Sequence, residues 1–219
     1  MKKLVIFDMD GLMFDSEKLA GECLIQAGKH YGYDISWEVR LELLGKNRET
    51  NKRYLCKQFG EDFPVDEIFS LSGDLRRKYI DEHGIQMKKG LVELLEYLKE
   101  KKIMIVVASS SPRETIKKYL SMNNLLDYFN EIISGDEVTR CKPDPEIFLK
   151  ACKDFDIKPS EAIVLEDSIS GVMAAFHGDI DVICVPDLVA IEDKYASITL
   201  GCFNDLIEVR DYLKEKDIL

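Results

Sequence analysis

Five short apolar runs constrain the fold of this chain more than any other feature: LVIF at 4–7, IMIVVA at 103–108, EIIS at 131–134, AIVL at 162–165 and DVICV at 181–185. Each is rich in Val and Ile and lacks polar alternation, which is how parallel strands covered on both faces read. Helical spacings lie between the later runs. Leu91, Leu94, Leu95 and Leu98 keep an i, i+3, i+4, i+7 pattern; Ile116, Tyr119 and Leu120 do similarly, as do Ile147, Phe148, Ala151, Cys152 and Phe155. Strand and helix in alternation predict an α/β fold, a Rossmann-like doubly wound parallel sheet.

The alternation fails once, between Asp15 and about Gly84, where no strand pattern occurs. The text there predicts helices over 16–31, 37–44, 48–59 and 64–83, closed by Gly32, Gly45, Gly60 and Gly84. An all-α unit, residues 16–85, is therefore expected inside a core formed by 1–15 and 86–219. Helix starts after the strands carry capping signals. In ASSSPRET, Ser111 can cap with Pro112 next and Glu114 completing a capping box; in KPDPEIF, Asp144 can cap with Pro145 next. Such helix ends bring positive polarity to the carboxyl edge of the sheet, where anions bind.

Charge narrows the partners. Lys plus Arg number 30 against 41 Asp plus Glu, a net charge of -11, which repels nucleic acid and anionic membranes over long range. The apolar run after MKK stops at Asp8, too short for a signal peptide, and IMIVVA is far below the ~20 residues of a membrane helix. A cytoplasmic protein is expected. Its six cysteines form no C-x-x-C pair and read as small buried hydrophobes.

Where the strands end, chemistry gathers. Asp8 and Asp10 follow LVIF, two residues apart, so a bend can turn both towards one spot. Two carboxylates brought together repel unless one is protonated or a cation sits between them. A hard divalent ion with oxygen ligands, Mg²⁺ above all, suits such a pair. Glu166 and Asp167 follow AIVL in the same way, Ser109 ends IMIVVA, Lys142 lies in the loop after EIIS, and Ser168 stands beside the second acidic pair. Singly these residues also suit turns, caps and solvated surface; together they share the carboxyl ends of separate strands. A calcium loop is excluded because Leu12 occupies its third ligand position, and neither a G-x-G-x-x-G nor a P-loop motif occurs.

DMDGLMFDS, the serine ending IMIVVAS, the lysine of KPDPEIF and VLEDS resemble, in order, the four motifs of the haloacid dehalogenase superfamily. They look most like its sugar-phosphate phosphatase and beta-phosphoglucomutase branch, which carries a helical cap after the first strand. The resemblance implies that Asp8 is the nucleophile and Asp10 the general acid and base. It implies that Ser109, Ser110 and Lys142 hold the phosphoryl group, and that Mg²⁺ sits on Asp8, the Asp10 carbonyl and Asp167, with Glu166 a further or outer ligand. An acid at the position of Asp10 favours phosphate chemistry over dehalogenation, and Asp15 is assigned no catalytic role.

By the same resemblance the cap selects substrate. Within GKNRET, Arg48 matches an arginine that contacts a distal phosphate or hydroxyl, though Arg48 and Lys46 also suit a solvated helix start. The mutases' gating histidine has Ala20 in its place, and no lysine stands near Ser72. The expectation is a Mg²⁺-dependent phosphatase, a monomer acting on a small phosphate ester, with no nucleic-acid or membrane partner. The alternatives are a beta-phosphoglucomutase and a phosphate-binding protein without turnover.

Overall fold

The computed structural model describes residues 1–46 and 48–219. Its strands are β1 (Leu4–Phe7), β2 (Met104–Ser109), β3 (Glu131–Ser134), β4 (Ala162–Glu166), β5 (Asp181–Cys184) and β6 (Gly201–Cys202). Its α-helices are α1 (Ser16–His30), α2 (Trp37–Leu41), α3 (Arg48–Phe59), α4 (Val65–His83), α5 (Leu91–Glu100), α6 (Arg113–Met122), α7 (Glu146–Asp154), α8 (Ile169–His177), α9 (Asp193–Ala196) and α10 (Leu206–Lys216). The chain divides into two compact units, Met1–Asp15 with Ile85–Leu219, and Ser16–Gly84.

In the first unit six parallel strands lie in the order β3-β2-β1-β4-β5-β6. The four residues of β1 are all fully buried because β1 lies at the middle of the sheet, with helices to cover both faces. Ile6, Val106, Ile133, Val164, Phe148 and Val172 belong to one apolar core between the sheet and helices α7 and α8. Register then decides what the edge presents. Phe7 pairs with Val107 and with Leu165, so Asp8 and Glu166 leave neighbouring strands at the same level and Ser109 lies just beyond.

The sheet fold matches the expected α/β class, with three local differences. β6, only two residues long and partly exposed, carries no apolar run to announce it. α10 follows it, capped by Asp205, whose carboxylate accepts from the amides of Ile207 and Glu208 at 2.9 and 3.0 Å. α6 begins without the expected capping box: Pro112 is its cap residue and no side chain caps it, because the Ser111 hydroxyl is engaged elsewhere. The Asp144 carboxylate does accept from the Glu146 amide at 3.0 Å, at the start of α7.

The second unit is all helical. Leu24, Ala27, Ile35, Leu55, Phe63 and Ile68 form its core, with Phe59 stacked on Phe63 at 5.0 Å. α2 runs five residues rather than eight; Ser36 caps it, and beyond Leu41 the chain continues in turns. Of the six cysteines, Cys23, Cys152 and Cys184 are buried as expected, whereas Cys141 and Cys202 are exposed and Cys56 is intermediate. Among the described residues no helix is long and apolar enough to cross a membrane.

α10 packs on α5 where Gly90 caps α5 with φ +86°, and a Cβ on Gly90 would overlap the backbone of Leu206 and Ile207. Gly90→Ala is therefore expected to cost about 2 kcal/mol or more from backbone strain plus overpacking, read as a lower urea midpoint. An unchanged midpoint would show that the start of α10 yields freely.

Candidate active site

The loop after β1 folds back on itself within six residues. Asp8 N–H still donates to the Leu165 carbonyl at 3.0 Å, Met13 N–H donates to the Met9 carbonyl at 2.9 Å, and Gly11 N–H donates to the Phe14 carbonyl at 3.1 Å. Gly11 takes φ +85°, and a Cβ there would overlap the Asp167 carboxylate. Glycine thus serves twice, allowing the left-handed turn and letting the loop close against Asp167.

Opposite Asp8, Lys142 reaches in from the segment between β3 and α7. Its Nζ donates to Asp8 Oδ1 at 2.5 Å and to Glu166 Oε1 at 2.6 Å, and it lies 4.7 Å from the centre of the Phe148 ring. All three side chains are less than a tenth exposed. Glu166 Oε2 accepts from the amides of Asp167 and Ser168 and from the Ser168 hydroxyl, each at 2.9 Å. The Asp10 carboxylate turns the other way along the edge. Its Oδ2 accepts from the hydroxyls of Ser111 at 2.7 Å and Ser109 at 3.3 Å, while Ser109 Oγ in turn accepts from the Ser111 amide at 3.1 Å.

Electrostatics follow from burial. Desolvation pushes the Asp8 carboxyl up to about 8; Lys142 opposes this, and the charges of Glu166 and Asp10 add to it. Asp167 is likewise held well above the usual carboxylate range, by burial and then by the charges of Glu166 and Asp8. Burial also acts to raise Glu166, but the charge of Lys142 and hydrogen bonds from Lys142 and Ser168 outweigh it and leave that carboxyl low. Lys142 resists its own desolvation through the charges of Asp8 and Glu166 and stays cationic. One ammonium cannot neutralise three carboxylates.

The donor set fits a hard cation. Asp8, Glu166 and Asp167 each offer an oxygen, and these lie within 4.8 Å of one another. Since both oxygens of Glu166 already accept hydrogen bonds, Asp8 and Asp167 are the better placed to bind an ion directly.

Of the other residues singled out from the sequence, Ser110 is exposed, and Arg48 stands in the helical unit at the start of α3. There its side chain is 67% exposed and its guanidinium pairs with Asp66 at 3.2 Å. Asp15 pairs with Lys88 at 2.6 Å. Sequence reasoning missed four contributors. Ser111, read as a helix cap, bonds Asp10. Gly171 sits so close to Glu166 that a Cβ would overlap its carboxylate, and a Cβ on Gly135 would overlap the Ser110 carbonyl. Asp187 lies beside Asp167. The SSS run after β2 was a signal for Ser111; the glycines and Asp187 had none.

The helical unit has a cavity of its own, about 290 Å³, lined among others by Glu17, Ala20, Arg40, Lys46, Asn51 and Ser72. Arg40 is buried there and ion-paired with Glu17. Asn51 donates to the Leu43 carbonyl at 3.1 Å, while its buried Oδ1 has no hydrogen-bond partner among the described residues.

A doubly wound sheet whose edge brings paired aspartates, a lysine and a second acidic pair together defines a class of hydrolytic α/β enzyme. The chain belongs to the haloacid dehalogenase-like hydrolase family, whose model matches residues 5–185. It is similar to a phosphorylated carbohydrates phosphatase of Thermotoga maritima, 31% identical over 81% of this chain and 82% of the relative. It is also similar to the validoxylamine A 7'-phosphate phosphatase of Streptomyces hygroscopicus, 29% identical over 96% of this chain and 97% of the relative. Among solved structures, a candidate beta-phosphoglucomutase from Thermotoga maritima superposes with a TM-score of 0.80, 27% identical and covering 98% and 99% of the two chains.

Two outcomes are expected of the site. Gly171→Ala must displace Glu166 and with it Lys142, costing about 1–3 kcal/mol in urea unfolding; wild-type stability would show that α8 shifts instead. In cation-free buffer the folded chain keeps protons on Asp8 that an unfolded carboxyl, near 3.8, has lost. Stability should therefore fall as pH rises from about 4 to 8, and Asp8→Asn should flatten that fall. Equal slopes for the two proteins across this window would contradict the assignment.

Proposed function

We propose that the protein is a Mg²⁺-dependent phosphatase that hydrolyses a small phosphate monoester, a sugar phosphate, through an aspartyl-phosphate on Asp8. Its catalytic core comprises residues 1–15 and 86–219, and residues 16–85 form the helical cap that selects the substrate. The observation that carries this reading is the clustering of the Asp8, Glu166 and Asp167 carboxylates around the Lys142 ammonium.

Asp8 attacks phosphorus as the ester P–O bond breaks, and Asp10 gives its proton to the departing alkoxide. Asp10 then takes a proton from water as that water attacks the phosphorus, releasing phosphate and restoring the Asp8 carboxylate. The hydroxyls of Ser109 and Ser111 orient the Asp10 carboxylate, and Ser109 and Ser110 face the phosphoryl oxygens. Lys142 screens Asp8 from a dianionic substrate. Asp8, the Asp10 carbonyl and Asp167 would hold Mg²⁺, with Glu166 behind them. The ion, when bound, would supply the positive charge that lets Asp8 and Asp167 ionise beside a phosphate.

The names of the relatives support a phosphorylated carbohydrate as substrate. Where the family's mutases carry a gating histidine this chain has Ala20, which supports water as the acceptor. The net charge of -11 suits a monomer of the cytoplasm that binds neither nucleic acid nor membrane.

Phosphate release from a panel of sugar phosphates with Mg²⁺, beside isomerisation of beta-glucose 1-phosphate primed with the bisphosphate, tests the proposal. Asp8→Asn should abolish release and Asp10→Asn should slow it about 10²–10⁴-fold. Glucose 6-phosphate appearing ahead of free phosphate would assign a mutase instead, and turnover surviving in Asp8→Asn would remove the nucleophile.

A further inference from the structure

Just outside the constellation lies a second charged group that the mechanism does not use. Lys88, on the segment that returns from the helical insertion, is only 24% exposed on its side chain and pairs with two carboxylates, Asp15 at 2.6 Å and Asp187. Asp15 closes the first segment of the core unit, and Asp187 follows β5. The same strand end is tied back to the acidic edge: the Val185 amide donates to the Glu166 carbonyl at 2.8 Å.

Asp187 is the odd member. Its side chain is 7% exposed, one oxygen accepts from Lys88, and its other oxygen, Oδ2, is buried without a hydrogen-bond partner among the described residues. A buried carboxylate oxygen left unpaired costs free energy, so an ordinary ion pair does not account for it. Its direction is informative. The point where a Cβ of Gly11 would stand is 3.2 Å from Asp187 Oδ2 and in overlap with Asp167 Oδ2, so the two oxygens approach the same spot beside the Gly11 backbone. Asp187 also acts on the charge of Asp167. Two carboxylates left facing each other call for hydrogen-bond donors or a cation between them.

We infer that Asp187 is a positioning residue of the cation site: its free Oδ2 accepts a hydrogen bond from water in the hydration shell of the bound ion, and Lys88 holds the carboxylate in place. Mg²⁺ gives up its waters reluctantly, so carboxylates that receive hydrogen bonds from those waters belong to its binding energy. Partners of this outer kind typically contribute 10–100-fold in affinity. Lys88 leaves Asp187 one free oxygen while cancelling much of the extra negative charge, which keeps the site from becoming a general trap for cations.

The inference rests on the proposed Mg²⁺ site, and calorimetric titration of the whole protein with Mg²⁺ alone, without substrate, separates the two. Wild type should bind one ion. Asp187→Asn, which keeps the shape but offers a weaker acceptor and no charge, should weaken binding about tenfold. Asp15→Asn, which removes an equal charge from the same lysine without touching Asp167, should change it less than about twofold. Should the amide variant not fold, Asp187→Ser reads the same quantity. Wild-type affinity in Asp187→Asn, or equal weakening in the Asp187 and Asp15 variants, would overturn the role given to Asp187 while leaving the metal site standing. Failure of wild type to bind Mg²⁺ would overturn both.

Discussion

The ammonium of Lys142, held 2.5 Å from Asp8 and 2.6 Å from Glu166 in a space closed to solvent, is the interaction on which the rest of the structure turns. Removing one partner from such a buried group leaves an uncompensated charge, which costs about 3–5 kcal/mol. The surroundings are accordingly built to keep it whole. Glu166 is locked by three donors from the start of α8. Gly171 yields the room that its carboxylate needs. Phe148 faces the ammonium from the core helix α7.

What the fold contributes is register. Parallel neighbours β2, β1 and β4 end within two residues of one another's level, so residues far apart in sequence leave the sheet side by side. The local structure then separates two aspartates that differ by only two positions. Asp8 points to the lysine and is driven towards its protonated form by burial. Asp10 points to two hydroxyls. Two positions along one loop are enough to set the two carboxylates in different surroundings, one against an ammonium and the other against two hydroxyls. The excess negative charge of Asp8, Glu166 and Asp167 over Lys142 is what makes a divalent cation fit the same place.

Much of this was legible in the chain, for physical reasons that also explain the gaps. Strands covered on both faces must be continuously apolar, so five of the six announced themselves, and the polar residues at their ends stood out by contrast. The helices of the insertion were expected to close at glycines; Gly32, Gly45, Gly60 and Gly84 do adopt positive φ, though α2 stops at Leu41, short of Gly45. A two-residue edge strand such as β6 has no core face to write into the sequence. Ser111 before a proline is equally a cap and an active-site hydroxyl, and only the position of Asp10 decides between them. Gly171 matters through the carboxylate of Glu166 folded back over the start of α8, and Asp187 through contacts made across the fold, which no residue pattern encodes.

In the proposed reaction Asp8 takes the phosphoryl group onto its own carboxylate. Rapid quenching of the enzyme during turnover, followed by borohydride reduction and peptide mapping by mass spectrometry, tests it most directly. Reduction of an acyl phosphate is expected at residue 8 and nowhere else. Phosphate found on a serine, or turnover with no modified Asp8 at any quench time, would contradict it.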